Sequence, residues 1–107
     1  DWQNLIIIGD FNSNAQWDKK RKLRNHGNLV NRLKDYGLQS IYHYKMGEGH
    51  GAETQSTFFM YRHLSRPYHI DYVFMPEAKL ADSKVELGKA NVWLQHSDHL
   101  PLFIDLA

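Results

Sequence analysis

Three short stretches of this 107-residue chain hold residue types that can do acid, base and metal chemistry. The first is Gly9-Asp10-Phe11-Asn12. Alternation along an extended segment puts Asp10 and Asn12 on one side, where a carboxylate and a carboxamide can orient a water and contact a phosphate. The glycine lets the backbone turn sharply and a ligand approach. The same residues would also serve as an Asx-turn and helix cap. The second stretch, Tyr68-His69-Ile70-Asp71-Tyr72-Val73-Phe74, is strand-like with an acid in its middle. An ionised Asp71 facing a core needs a cation, a metal or hydrogen-bond donors, since burying it unpaired costs several kcal/mol. The plainer alternative is an acid at a sheet edge facing water, or a structural pair with Arg62 or Arg66. The third stretch, His96-Ser97-Asp98-His99-Leu100-Pro101-Leu102, is polar and then abruptly apolar, which places Asp98 and His99 in a loop entering a strand. A turn with a capping aspartate fits that pattern too. Asp98 offers hard oxygen suited to Mg²⁺ or Mn²⁺, and His99 an imidazole whose role depends on what holds its other nitrogen. A carboxylate such as Asp71 beside it would favour the charged ring and fix its orientation.

Taken together the three stretches resemble the endonuclease/exonuclease/phosphatase superfamily, which includes the exonuclease III-type nucleases. That family carries a G-D-F/M-N motif, an I-D-Y/L strand and an S-D-H-x-P motif in this order, and here they stand as Gly9 to Asn12, Ile70 to Tyr72 and Ser97 to Pro101. The resemblance implies divalent-metal-dependent hydrolysis of a phosphodiester by in-line water attack, with Mg²⁺ or Mn²⁺ as cofactor and a phosphoester as substrate, nucleic acid foremost and a nucleotide or phospholipid headgroup as the alternative. It gives Asp10 the attacking water, Asn12 the positioning of that water or the phosphate, and Asp98 the metal and proton-transfer network together with Asp10. His99 would touch the scissile phosphate, with Asp71 behind it. Phosphoryl transfer calls for such a set: an in-line water and donor or positive groups around the equatorial oxygens. The implied fold is a four-layer αββα sandwich. Its early half supplies an Asn and a metal-binding Glu that match nothing here, so residues 1–107 read as the C-terminal portion of such a domain. A sheet lacking its partner would expose an apolar face and favour self-association.

The elements that must position these residues follow from patterning. Leu5-Ile6-Ile7-Ile8 is short, β-branched and apolar on both faces, which reads as a buried strand ended by Gly9, with Asp10 at its tip. Residues 12–27 are polar and basic and read as a long loop turning helical before Gly27. From Asn28 a helix is expected, with Leu29, Val30, Leu33 and Tyr36 as its apolar stripe, Asn28 as cap and Gly37 as the left-handed residue that ends it. Strands are expected at Gln39 to Tyr44, Ser56 to Tyr61, Tyr68 to Met75, Lys84 to Gln95, bulged or split at Gly88, and Leu100 to Leu106. The fold class is therefore α/β: a mixed sheet packed with one main helix.

Composition narrows the alternatives. The chain is 42% hydrophobic and 13% aromatic, as expected of a globular domain. It has no cysteine, which removes disulfides, thiolate nucleophiles and thiolate zinc sites. No run of eighteen apolar residues and no signal-like start directs it to a membrane, and cytoplasmic is the default expectation. A net charge of +1 falls short of the strongly basic balance of many nucleic-acid binders, yet Lys19, Lys20, Arg21, Lys22 and Arg24 concentrate five of its thirteen cations just past the first motif. Two other readings stand beside the metal hydrolase. One is a zinc site built from His96, Asp98 and His99 with a distant histidine. The other is a non-catalytic binding module that uses the basic loop and Trp17. The segment from Tyr42 to His63, with His43, His50 and His63, matches no shared family motif. It could set substrate preference, although scattered histidines are mostly surface or core residues.

Overall fold

The computed structural model describes residues 1–107. The apolar run at the start forms β1 (Ile7–Asp10), and after it Asn14 caps a 3-10 helix at Ala15–Lys20 by accepting from the Gln16 N–H. The main helix, α1 (His26–Asp35), starts at Asn25, whose side chain accepts from the Asn28 N–H at 2.8 Å, and Gly37 follows its end at φ +79°. Then come β2 (Leu38–Ser40), α2 (Ile41–Met46), β3 (Phe58–Phe59), β4 (Pro67–Tyr68), β5 (Asp71–Pro76), α3 (Glu77–Leu80), β6 (Lys84–Leu87), α4 (Ala90–Trp93) and β7 (Leu102–Asp105). The protein is an α/β mixture whose strands pair antiparallel throughout. None of its helices is long and apolar enough to cross a membrane.

β5 is the centre of the architecture. It lies between β1 and β2 in a three-stranded sheet, and its side chains alternate between two cores. Tyr72 and Phe74 face α1 and pack with Leu33 and Leu38. Val73 and Met75 face the other way, onto Ile41, Leu80 and the β6–β7 ribbon. The register sets Ile8 opposite Val73 and Asp10 opposite Asp71, so the first two motifs end side by side at one edge of the sheet.

Local expectations change where neighbours outweigh propensity. β1 is an edge strand, hydrogen-bonded to β5 alone, and Ile8 is 68% exposed, so the apolar run is not the buried strand its composition suggests. The helix begins two residues earlier than Asn28 because Asn25 and Asp18 take up its first N–H groups. Gln39 to Tyr44 is strand only as far as Ser40. The aromatic residues after it turn into α2, which buries Ile41, Tyr42 and His43 and ends at the left-handed Gly47. Ser56 to Tyr61 keeps two strand residues before Tyr61 and Arg62 take positive φ, and Tyr68 to Met75 divides into β4 and β5. Lys84 to Gln95 splits at Gly88, where an added Cβ would sit 2.6 Å from the Trp93 ring and 2.7 Å from Pro101. That glycine marks a close approach between the turn and α4.

Candidate functional site

Asp10 ends β1, Asp71 begins β5, and His99 lies in the loop leading to β7. These three offer ligand atoms within 4.8 Å of one another. His99 Nδ1 is 2.9 Å from Asp71 Oδ2. A carboxylate can only accept, so this nitrogen carries the proton and Nε2 is turned outward. Nε2 stands 3.8 Å from Asp10 Oδ2 and 3.9 Å from Asp98 Oδ1, too far for hydrogen bonds. Two carboxylates thus flank the ring's free edge. Asp71 has found a histidine as its partner, in place of Arg62 or Arg66, and its side chain is 17% exposed, against 48% for Asp10 and Asp98. Asp98 falls outside the group of three whose ligand atoms lie within that mutual distance.

Asn12 departs from the alternation expected of it. Its φ is +49°, and its N–H donates to Asp10 Oδ1 at 2.7 Å. The strand has ended, and the backbone is wound into an Asx-type turn that aims Asp10. The Asn12 side chain lines a small recess of about 150 Å³ with Trp17, Phe58, Met60, Tyr68 and Ile70. His96 belongs to neither group of candidate metal ligands, and the zinc site built on it does not assemble.

The third motif is held against the second by residues that sequence reading passed over. Thr57, fully buried, accepts the N–H groups of both Ile70 and Asp71 on its Oγ1, at 3.0 and 3.1 Å. Its carbonyl accepts the Leu100 N–H, and the Phe59 N–H donates to the Asp98 carbonyl. Phe58 bridges to His99 and packs its ring 4.8 Å from the imidazole. This short segment splints the Asp98-His99 loop to the start of β5. A threonine ahead of two phenylalanines reads from sequence only as strand, so no local signal singles it out. Thr57→Val keeps the shape but strands two buried N–H groups, and should cost about 1–3 kcal/mol of stability by denaturant titration. An unchanged midpoint would show that the hydroxyl is no splint.

A second polar cluster lies inside the protein. His43 Nε2 is 2.7 Å from Glu53 Oε2, and its Nδ1 is 2.6 Å from Ser40 Oγ. His50 stacks on His43 with ring centroids 3.6 Å apart and contacts His26 Nε2 through Nδ1 at 3.0 Å. Asn14 joins Glu53 to the His69 carbonyl and the Tyr72 hydroxyl. Burial drives His50 down to about 3, with the neighbouring His43 adding to the effect. Burial would raise Glu53, but hydrogen bonds from His43, Asn14 and the Gly51 N–H outweigh it and bring that carboxyl to about 2. His43, His50 and Glu53 do offer three ligand atoms within 4.8 Å of one another. Rings stacked face to face do not converge their in-plane lone pairs on one ion, however, and this geometry makes the cluster a hydrogen-bonded scaffold beneath the Asn14 turn. His63 sits apart from it, exposed.

A family model described as the Endonuclease/Exonuclease/phosphatase family matches residues 3–99. No similar curated protein and no similar solved structure was found.

Proposed function

Since the chain belongs to the endonuclease/exonuclease/phosphatase family, a group of phosphoester hydrolases and nucleases, we propose that it carries the phosphodiester-cleaving centre of a divalent-metal-dependent nuclease. The observation supporting this most directly is the imidazole edge itself: Nδ1 tied to Asp71, and Nε2 open between Asp10 and Asp98. With both ring nitrogens protonated, His99 would donate from Nε2 to an oxygen of the scissile phosphate, in a direction that Asp71 sets through Nδ1. Asp10, aimed by its turn with Asn12, would orient the attacking water and draw its proton. Asn12 would add an amide donor to the water or the phosphate. Asp98 and Asp10 supply the hard, exposed oxygens that Mg²⁺ or Mn²⁺ prefers, and the ion would neutralise charge on the phosphate oxygens. On the same reading, residues 1–107 are the C-terminal portion of an αββα domain. Its other half would contribute the metal-binding glutamate, and the exposed face at Ile8 would receive either that half or a second copy of this chain.

The test is metal dependence. Hydrolysis of bis(p-nitrophenyl) phosphate and of mixed-sequence DNA should appear with Mg²⁺ or Mn²⁺ and vanish with a chelator. Mn²⁺ binding, followed by water relaxation, should be measured on the same folded sample. Turnover that persists through chelation overturns the mechanism. Bound Mn²⁺ without turnover would favour the binding-module reading, and neither binding nor turnover in the folded chain would mean that the other half of the domain is required for the site to work.

A further inference from the structure

The segment joining β3 to β4 is strained where it passes the candidate site. Met60, Tyr61, Arg62 and His63 make a tight turn, in which the His63 N–H donates to the Met60 carbonyl at 3.0 Å. Both central residues take positive φ, 55° at Tyr61 and 60° at Arg62. A turn of that kind ordinarily selects Asn-Gly, because a side chain's Cβ resists the left-handed region. Two further hydrogen bonds hold it closed, from the Arg66 N–H to the His63 carbonyl and from the Met60 N–H to the Arg66 carbonyl, at 3.0 Å each. Two large side chains thus stand where the backbone alone would favour glycine, and strain kept in this way points to a task for those side chains.

Tyr61 and Arg62 form one wall of a depression of about 540 Å³, and His96, Ser97 and Asp98 form the other. The depression therefore adjoins the carboxylate that stands 3.9 Å from His99 Nε2. Its walls are tied at their base, where the Phe59 N–H donates to the Asp98 carbonyl at 2.8 Å. Arg62 is exposed, and its guanidinium lies in no ion pair. Nη1 donates to the Gln95 carbonyl at 3.3 Å, which steadies the group and leaves most of its donors for a ligand. Asp98 is the one acid of the lining, and on the reading above its oxygens serve the metal.

A planar fork of free donors is matched to an oxyanion. We propose that Arg62 is a specificity-determining residue, selecting phosphodiesters whose alcohol part carries an oxyanion of its own, a phosphate or a carboxylate. With the scissile phosphate at His99, that second group would lie in the depression on the Asp98 side and take the free donors of Arg62. This rests on the phosphodiesterase reading above and adds a feature of the substrate that the cleavage centre does not itself contact.

The experiment uses the intact chain, Arg62→Gln and Arg62→Gly. Binding of propyl phosphate, propane-1,3-diyl bisphosphate and 4-phosphooxybutanoate is measured by calorimetry in Mg²⁺. Hydrolysis of ethyl p-nitrophenyl phosphate is followed beside that of its 3-phosphopropyl analogue. The parent should bind at least one of the two doubly anionic probes about tenfold more tightly than propyl phosphate, as expected of one charge-assisted contact. Comparing those two probes identifies whether phosphate or carboxylate is preferred. Arg62→Gln should erase the preference, raise KM for the 3-phosphopropyl ester, and leave the ethyl ester and propyl phosphate as in the parent. Arg62→Gly should erase it too, with a Tm at or above the parent's, because glycine relieves the left-handed backbone. If the parent binds the three probes alike or binds none, or if Arg62→Gln keeps the preference, the proposal is overturned and the hydrolase reading is untouched. A glycine variant that melts well below the parent overturns the claim that the strain is kept for the side chain. If the preference follows Arg62 while neither ester is turned over in Mg²⁺, the oxyanion site stands and the chain is a binding module, so the hydrolase reading fails alone.

Discussion

Asp10→Ala should slow metal-dependent phosphodiester hydrolysis by about 10²–10⁴-fold, the range over which a positioned general base contributes. The side chain is 48% exposed, and its one hydrogen bond holds the Asn12 N–H, so the fold has little to lose. The unfolding temperature should therefore stay near that of the parent while the rate collapses. Side-chain removal also withdraws one of the carboxylates flanking His99 Nε2, so Mn²⁺ affinity should fall alongside turnover. A variant with parental rates would sink the role given to Asp10. One that loses rate and thermal stability together would instead point to a structural part for the turn. The separation of these readouts matters because the strand tip and the site are the same few residues.

Acid should unfold this protein early. His26, His50 and His69 are all held below the ordinary histidine value, burial being the first cause in each. Below about pH 6.5 the unfolded chain takes up protons that these folded rings refuse, so the unfolded state binds more protons and stability falls as pH falls. For His50 the window extends down to about pH 3. Each such ring contributes a slope of about 1.4 kcal/mol per pH unit inside its window. Glu53 adds a loss of the same sign at lower pH, below its ordinary value and down to about 2. Against a typical domain stability of about 5–15 kcal/mol, a loss of this order is a substantial part of what keeps the chain folded. Thermal melts from pH 7 to pH 4 should show a steep, monotonic fall in Tm. His50→Phe, which keeps an aromatic ring against His43 and removes one titrating group, should flatten it. A Tm level from pH 7 to pH 5 would mean that the histidines take up protons in place.

Much of the site can be read directly in the chain, and the reasons are local. Asp10, Asp98 and His99 each sit where the change between apolar and polar residues marks a loop at a strand, whereas Asp71, read as the middle of one strand, begins β5 because Tyr68 to Met75 divides in two. What the letters do not carry is pairing. That Asp71 would choose His99 over Arg62 or Arg66 depends on Thr57 bringing the loop beside β5 through hydrogen bonds from residues thirteen or more positions away. Asn12 defeated alternation because its N–H had a nearer acceptor in Asp10 than any neighbouring strand could offer. The aromatic run after Ser40 became a helix because its buried side, Ile41, Tyr42 and His43, had a sheet face to cover, a tertiary demand that overrides strand propensity. The histidine cluster was invisible for the same reason. His26, His43, His50 and His69 come from four separate places and meet only around Tyr72.

The register of β1 on β5 sets Asp10 directly across from Asp71. Like charges facing one another between adjacent strands repel, so this end of the sheet is the part that local chemistry would part first. His99 answers one of the two carboxylates, and the other is left to the solution. The ladder's last rung is therefore closed from outside: cations in the surrounding medium, by occupying or screening that edge, help decide how firmly the two strands stay zipped. The protein's rigidity at this point becomes a property it shares with its solvent.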